Sequence, residues 1–218
     1  YNSALCLAKH FKTTYDSSRE IEINKNSDTK TSYQQGKTLE AELLKYDLLE
    51  YNIIKSMDRI FIGDGIITIL TPTEEDLKKL NKRWERETSD IRYVSAHESD
   101  YQSSIEHLLL NDKYIKDNSL VNRTSISFLL EYGVFKILML ADSRSDIIAN
   151  SLKQLGYSEE SKLNVDYIKL PHHGSSKNLN YDLLNIINCK NYIISTDGSI
   201  YNHPCKKTLA RILNVFND

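Results

Sequence analysis

Asp166-Tyr167-Ile168-Lys169-Leu170-Pro171-His172-His173-Gly174-Ser175-Ser176 is the stretch on which the reading of this chain turns. A short apolar strand stops at a proline and delivers two adjacent histidines into a glycine-serine loop. Such a loop holds imidazoles at the rim of a sheet, where a metal or a substrate can reach them. The alternative reading is a polar turn with two solvent-facing histidines, and the neighbouring sequence decides between them.

On either side of this stretch the same unit recurs. Upstream, Ser125 to Leu130 and Phe135 to Leu140 are apolar runs joined by Glu131-Tyr132-Gly133, which predicts a hairpin. The second run leads into Ala141-Asp142-Ser143 and a helix over Asp146 to Leu155, closed by Gly156. The strand Val165 to Leu170 leads through the histidine loop to a helix over Tyr181 to Ile187. A third strand, Tyr192 to Ser195, leads through Thr196 to His203 into a helix from Pro204 to Phe216, with Pro204 suited to its first turn. Strand–helix–strand crossovers favour parallel pairing, so the three loops should share one edge of an α/β sheet, where such proteins place their sites. Asp142, His172, His173 and His203 lie on these loops, and Asp142, His172 and His203 are each about 30 residues apart, one β-α-β step. A carboxylate with converging histidines is a ligand set for Zn²⁺ or Mn²⁺. Taken singly, Asp142 also reads as a helix cap and His203 as an ordinary loop histidine.

The first 123 residues carry weaker signals. Ser3 to Phe11 has Leu5, Ala8 and Phe11 at helical spacing, so a helix is under way almost at once. One short strand, Glu20 to Asn24, is expected in the polar stretch that follows. Gly36 precedes an amphipathic helix over Leu39 to Leu49, with Leu39, Leu43 and Tyr46 on one face. Ile60-Phe61-Ile62 and Ile66 to Leu70, joined by Gly63-Asp64-Gly65, form a hairpin ended by Pro72. Thr73 then opens a charged helix to about Glu87. Thr88 to Asn122 is polar, with a helical island over Tyr101 to Leu110, and looks the least ordered part.

Composition excludes several classes. Of the 218 residues, 40% are hydrophobic and 27% charged, as in a globular protein with a sizeable core, and the formal net charge is -2. That charge gives no global pull toward nucleic acid or an anionic membrane. A local basic track would be needed for nucleic acid, and Lys169, Lys177, Lys206, Lys207 and Arg211 are the candidates. No apolar run is long enough to span a membrane. Three cysteines without C-x-x-C spacing predict a reducing, cytoplasmic setting rather than a disulfide framework.

The ordered set Asn122…Ser125-Ile126-Ser127-Phe128, Leu138-Met139-Leu140-Ala141-Asp142-Ser143, Lys169-Leu170-Pro171-His172-His173-Gly174-Ser175 and Asn202-His203-Pro204 resembles the metallo-β-lactamase fold. The similarity is to the branch of the hydrolase domains of DNA-uptake (competence) proteins and of phosphorylcholine esterases. It covers the last hundred residues well and the earlier ones loosely. The resemblance implies a single α/β domain over 1-218, an αββα sandwich with 1-123 as the remainder of its first half and 124-218 as its second half.

It also implies roles. Asp142 matches the aspartate that bridges two metals and His172 a ligand of the second. His173 matches the neighbour that lies beside the substrate or behind the metal ligands, and His203 a residue for substrate contact or leaving-group protonation. Ser175 and Lys177 are placed as substrate-binding. The implied activity is a metal-dependent hydrolase, a phosphodiesterase or nuclease with two Zn²⁺ or Mn²⁺ ions and a metal-bound hydroxide. A phosphodiester, nucleic acid included, is the implied partner, and the chain reads as an effector domain of a larger protein. Two departures stand against this. The family's His-x-Asp-x-Asp-His motif is not in these residues, and Tyr1-Asn2-Ser3-Ala4-Leu5 looks like the segment that follows it, which implies that the first strands and first metal motif lie upstream. Where many relatives carry Pro-Gly-His, this sequence has Pro72-Thr73-Glu74, and His97 is the substitute considered. The competing reading is a catalytically degenerate scaffold used for binding or assembly.

Overall fold

A computed structural model describes residues 1–15, 32–86, 99–199 and 201–217. The described residues form helices and a mixed sheet, an α/β architecture, and separate into two compact units. The expected strand at Glu20 to Asn24 and the substitute ligand His97 lie outside the described residues.

The described residues of the first unit, Tyr1–Ile54 with Glu74–Val94, include the helices α1 (Ala4–Phe11), α2 (Ser32–Lys45) and α3 (Glu74–Arg86). Ser3 caps α1, its hydroxyl accepting from the Cys6 amide, and Glu74, Glu75 and Asp76 sit where the α3 dipole favours negative charge. Leu7, Leu77 and Leu80 are buried together, with Phe11, Ile53 and Trp84 against them. The apolar face expected of α2 is not its packed face. Leu39 and Tyr46 are exposed, whereas Glu40 is buried. Its carboxylate accepts from the Leu5 amide at 2.8 Å and from the Tyr15 hydroxyl. A free amide in the first turn of α1 thus draws in a carboxylate, and that demand overrides the leucine spacing.

The second unit, Lys55–Thr73 with Ser95–Asp218, contains the sheet. Strands β1 (Arg59–Ile62), β2 (Gly65–Thr71), β3 (Ser127–Tyr132) and β4 (Phe135–Met139) form an antiparallel meander, so both expected hairpins are present. Beyond β4 the pairing turns parallel, to β6 (Tyr167–Lys169) and then β8 (Tyr192–Ile193), giving the order β1-β2-β3-β4-β6-β8. A second, two-stranded parallel sheet pairs β5 (Leu163–Asn164) with β7 (Ile187–Asn188). The helices among its described residues are α4 (Ile105–Leu110), α5 (Leu120–Arg123), α6 (Ser145–Gln154), α7 (Tyr181–Leu184) and α8 (Lys206–Asn217). Leu70, Leu129, Leu138 and Ile168 from the sheet are buried with Ile148 and Leu152 of α6, Leu183 and Leu184 of α7, and Ile212 of α8. Among the described residues no helix is long and apolar enough to cross a membrane.

Several boundaries differ from the sequence reading, three of them where a long-range partner intervenes. The expected strand from Val165 is shorter in the main sheet, and Leu163–Asn164 pairs with Ile187–Asn188, the first of which was expected to end a helix; that helix stops at Leu184. Pro204 lies ahead of α8 rather than in its first turn. The first amides of α8, those of Lys206 and Lys207, donate to the Asp100 carboxylate at 2.8 Å each, a cap supplied from a hundred residues away. The described part of the stretch judged least ordered, residues 99–122, is therefore tied down. Its Asp112 also meets Arg211, a candidate for a basic track that turns out to be 1% exposed. The Arg211 guanidinium forms a fork with Asp112, with Nε 2.6 Å from Oδ2, and donates to the carbonyls of Ser176 and Leu179 at 2.6 and 2.5 Å. Removing one partner of such a pair leaves the other charge buried alone. Arg211→Met should lower the unfolding free energy by about 3–5 kcal/mol in urea denaturation, and an unchanged midpoint would contradict this role.

Candidate functional site

The site is built on the ends of β4, β6 and β8. Register pairs Met139 with Lys169 and Lys169 with Ile193, so the chain leaves all three strands on one side of the sheet. The three exits are Leu140 to Ser143, Leu170 to Ser176 and Ile194 to His203.

At the first exit, Asp142 is half-buried and is not the helix cap. The N-cap of α6 is Arg144, which makes no side-chain cap bond, and the charge of Asp142 acts on Lys169 and on His172. The loop itself is anchored beside it. The Ser143 hydroxyl donates to the Ser125 carbonyl at 2.9 Å and lies 2.7 Å from the Thr71 hydroxyl. Thr71 in turn lies 2.6 Å from Ser127. Thr71, Ser127 and Ser143 are all fully buried, so β2, β3 and the Asp142 loop are locked by hydroxyls that satisfy one another.

At the second exit, Pro171–Gly174 is a tight turn and not a regular helix, because His172 and His173 both lie in the left-handed region, at φ of 45° and 58°. Ala141 at 47° and Asn202 at 54° share this conformation on the neighbouring exits. Each such non-glycine residue costs on the order of 1–3 kcal/mol and persists only where its surroundings hold it. The His172 amide donates to the Ala141 carbonyl at 2.8 Å, joining the first and second exits. The Gly174 carbonyl accepts from the Cys205 amide at 3.0 Å and the Thr208 hydroxyl at 2.8 Å, joining the second to α8. Gly174 has φ of 88°, and a Cβ there would stand 2.7 Å from Pro204 Cβ, so only glycine fits this approach.

These links gather three imidazoles. The ring centroid of His172 is 6.2 Å from that of His173 and 5.7 Å from that of His203. His173 Nδ1 donates to the Ser195 carbonyl on the third exit, which fixes the proton on that nitrogen. His203 is buried, its Nδ1 3.6 Å from Cys205 Sγ, with Tyr201 stacked at 6.2 Å. Ser175 is buried and its hydroxyl accepts from the Lys177 amide at 3.3 Å, so it shapes the turn. Lys177 is half-buried, and its carbonyl accepts from the Tyr114 hydroxyl and the Asp117 amide. His10 lies on α1 and His107 on α4.

The sequence reading missed a polar cluster behind His172. Its Nδ1 lies 3.1 Å from Asn178 Oδ1 and 3.6 Å from Asp117 Oδ2. The first is a hydrogen bond; the second is a charge contact too long for one. Asp117 also accepts from the Asn122 amide group at 2.6 Å, the Ser119 amide at 2.8 Å and Asn178 at 3.3 Å. Burial pushes the Asp117 carboxyl up, but His172, Asn122, Ser119 and Asn178 outweigh it and hold the group well below the usual carboxylate range. Burial likewise pushes the His172 pKa down, while Asp117 and Asp142 push it up, with a net upward shift. At Lys169, burial lowers the pKa against an opposing pull from Asp142. The one legible signal for the cluster was Asp117-Asn118-Ser119, an Asx turn that announces a local anchor and says nothing of His172.

Asp142 and His172 are donors of the right chemistry for Zn²⁺ or Mn²⁺, and an imidazole whose second nitrogen is hydrogen-bonded is what a metal-ligating histidine requires. They are two donors. Among the described residues no group of three or more His, Cys, Asp or Glu is placed to hold a metal ion. Comparison with protein-family models, with curated proteins and with solved structures gives no match.

The opposite shifts give a pH signature. His172, with its raised value, adds stability below about 6.5 that is lost as pH rises through its folded value; Asp117, with its depressed value, adds stability above about 3.9 that is lost as pH falls below it. The stability gap between wild type and Asp117→Asn should therefore widen from pH 8 to about 6 and narrow below about 4. A gap independent of pH in denaturation series would contradict the pairing.

Proposed function

We propose that the second unit carries part of a metal-dependent hydrolase site of metallo-β-lactamase type, acting on phosphodiesters, with nucleic acid within that class. The observation that carries the reading is the convergence of Asp142, His172, His173 and His203 on the exits of three adjacent parallel strands, with left-handed backbone at both histidines of the central loop. Polar side chains at the carboxyl edge of parallel strands are where α/β proteins do chemistry, and backbone strain collects at such places.

Asp142 and His172 are the residues that would hold a cation. When bound, Zn²⁺ or Mn²⁺ supplies Lewis-acid activation of water and neutralises charge that develops on a phosphoryl group. Hydrolysis forms one bond from water oxygen to phosphorus, breaks one ester bond and needs a proton at the leaving oxygen. His173 is half-exposed, and the Ser195 carbonyl holds its Nδ1–H inward, which leaves Nε2 for the substrate side. His203 is the candidate for leaving-group protonation. Lys169 stands close enough to Asp142 to feel its charge and is suited to an anionic phosphoryl group. The basic track for a long polyanion is reduced, because Arg211 is consumed inside the fold and Lys206 Nζ donates to the Tyr101 and Ser103 carbonyls. A small phosphodiester or a short single strand fits better than a duplex. The three cysteines are free and buried, which fits the cytoplasmic setting included in this proposal.

A second reading is favoured by one observation. The described residues offer two metal donors and no third, as a scaffold kept for binding or assembly would. Turnover separates the two. With Mn²⁺ or Zn²⁺ present, the protein should hydrolyse bis(p-nitrophenyl) phosphate or single-stranded DNA, and Asp142→Ala and His172→Ala should each lower the rate by about 100-fold or more. Equal rates in wild type and both variants would remove the hydrolase reading.

A further inference from the structure

The hydrogen bonds around Asn178 determine which nitrogen of His172 carries a proton. Asn178 is fully buried, at 0% exposure, and its side-chain amide has four polar neighbours. Three of them face Nδ2: the Asp142 carbonyl at 3.1 Å, the Ser143 carbonyl at 3.4 Å and Asp117 Oδ2 at 3.3 Å. All three are acceptors, because a carbonyl or an ionised carboxylate has no proton to give. Only the NH₂ group can face them, and a flipped amide would set its oxygen against three others. The remaining atom, Oδ1, must then be the one that faces His172 Nδ1, at 3.1 Å. An amide oxygen only accepts, so Nδ1 must donate.

The other neighbour of Nδ1 fits the same assignment. Asp117 Oδ2, at 3.6 Å, is a second acceptor and favours a proton on that nitrogen. Asn122 Nδ2 lies 3.5 Å away, but it is engaged at 2.6 Å with Asp117, which leaves it little claim on the ring. The imidazole is further held by its own backbone, because His172 sits at φ of 45° and its amide is tied to Ala141.

From this arrangement we infer that Asn178 is a positioning residue. It is oriented by the Asp142 and Ser143 carbonyls and by Asp117, and it fixes neutral His172 as the Nδ1–H tautomer, so that Nε2 presents the lone pair to the site. The same amide thereby links the backbone of the Asp142 loop to the ring of His172, so the two donors are set relative to each other by one side chain. The tautomer follows from the hydrogen bonds alone; its use as a cation ligand rests on the hydrolase reading above.

The two are tested apart. Long-range ¹H–¹⁵N correlation spectra of the metal-free full chain, at a pH where the imidazole is neutral, report the tautomer, and the His172→Gln spectrum assigns the signal by its loss. Wild type should show a protonated Nδ1 and an unprotonated Nε2. A proton on Nε2 would overturn the inference, and this measurement needs no variant that has to fold. In Asn178→Ala, shown to be folded by its amide spectrum, the His172 signal should move toward the Nε2–H form; an unchanged tautomer would overturn the role of Asn178. Titration with Zn²⁺ alone then bears on the cation reading. Weakening of about 10–100-fold in Asn178→Ala relative to wild type supports the positioning role. Absence of zinc binding by wild type with Nδ1 protonated counts against the metal-site reading and leaves the tautomer assignment standing.

Discussion

Parallel pairing of three short strands is the constraint from which the rest of the second unit follows. Leu138 against Ile168 and Ile168 against Tyr192 set β4, β6 and β8 in one direction. That direction alone brings the chain out three times on the same side. Leu138 and Ile168 are buried under α6 and α7, so register is fixed by the core: a slip of one residue would turn both toward the opposite face. Asp142, His172 and His203 come together because of packing some distance from any of them.

Packing places the exits, and polar contacts then hold them in costly conformations. Left-handed backbone at Ala141, His172, His173 and Asn202 needs support from outside each loop. It comes from the Ala141–His172 backbone bond, the clasp of Gly174 onto Cys205 and Thr208, and the buried hydroxyls of Thr71, Ser127 and Ser143. Residues 112–123 add an outer brace through Asp112 on Arg211, Tyr114 on the Lys177 carbonyl and Asp117 on Asn178. A polar, unpatterned stretch thereby becomes part of the site's frame.

What could be read from the sequence has a physical boundary. The hairpins at Gly63-Asp64 and Gly133, the helix closed by Gly156 and the three strand–loop–helix exits were legible, because each depends on near neighbours in sequence. Parallel order was legible too, since a strand–helix–strand crossover leaves little other choice. The buried Glu40, the Asp100 cap on α8, the Arg211–Asp112 fork and the Asp117–Asn178–His172 chain were not. Each pairs polar groups far apart in sequence, and no periodicity encodes such a pairing. The same boundary explains Arg211, which reads as a surface cation on a basic helix and is in fact an internal strut. Of the candidate site itself, Asp142 and His172 were legible as residue types on loops, while the polar cluster behind His172 was not.

In the function proposed above, the exits of β4 and β6 would present Asp142 and His172 as a cation-binding pair. Anomalous diffraction from crystals of the protein equilibrated with Mn²⁺ or Zn²⁺ tests it directly. The expected result is a peak within about 2.0–2.2 Å of an Asp142 carboxylate oxygen and of His172 Nε2. A peak elsewhere with none between these two residues, or coordination of His172 through Nδ1, would contradict it.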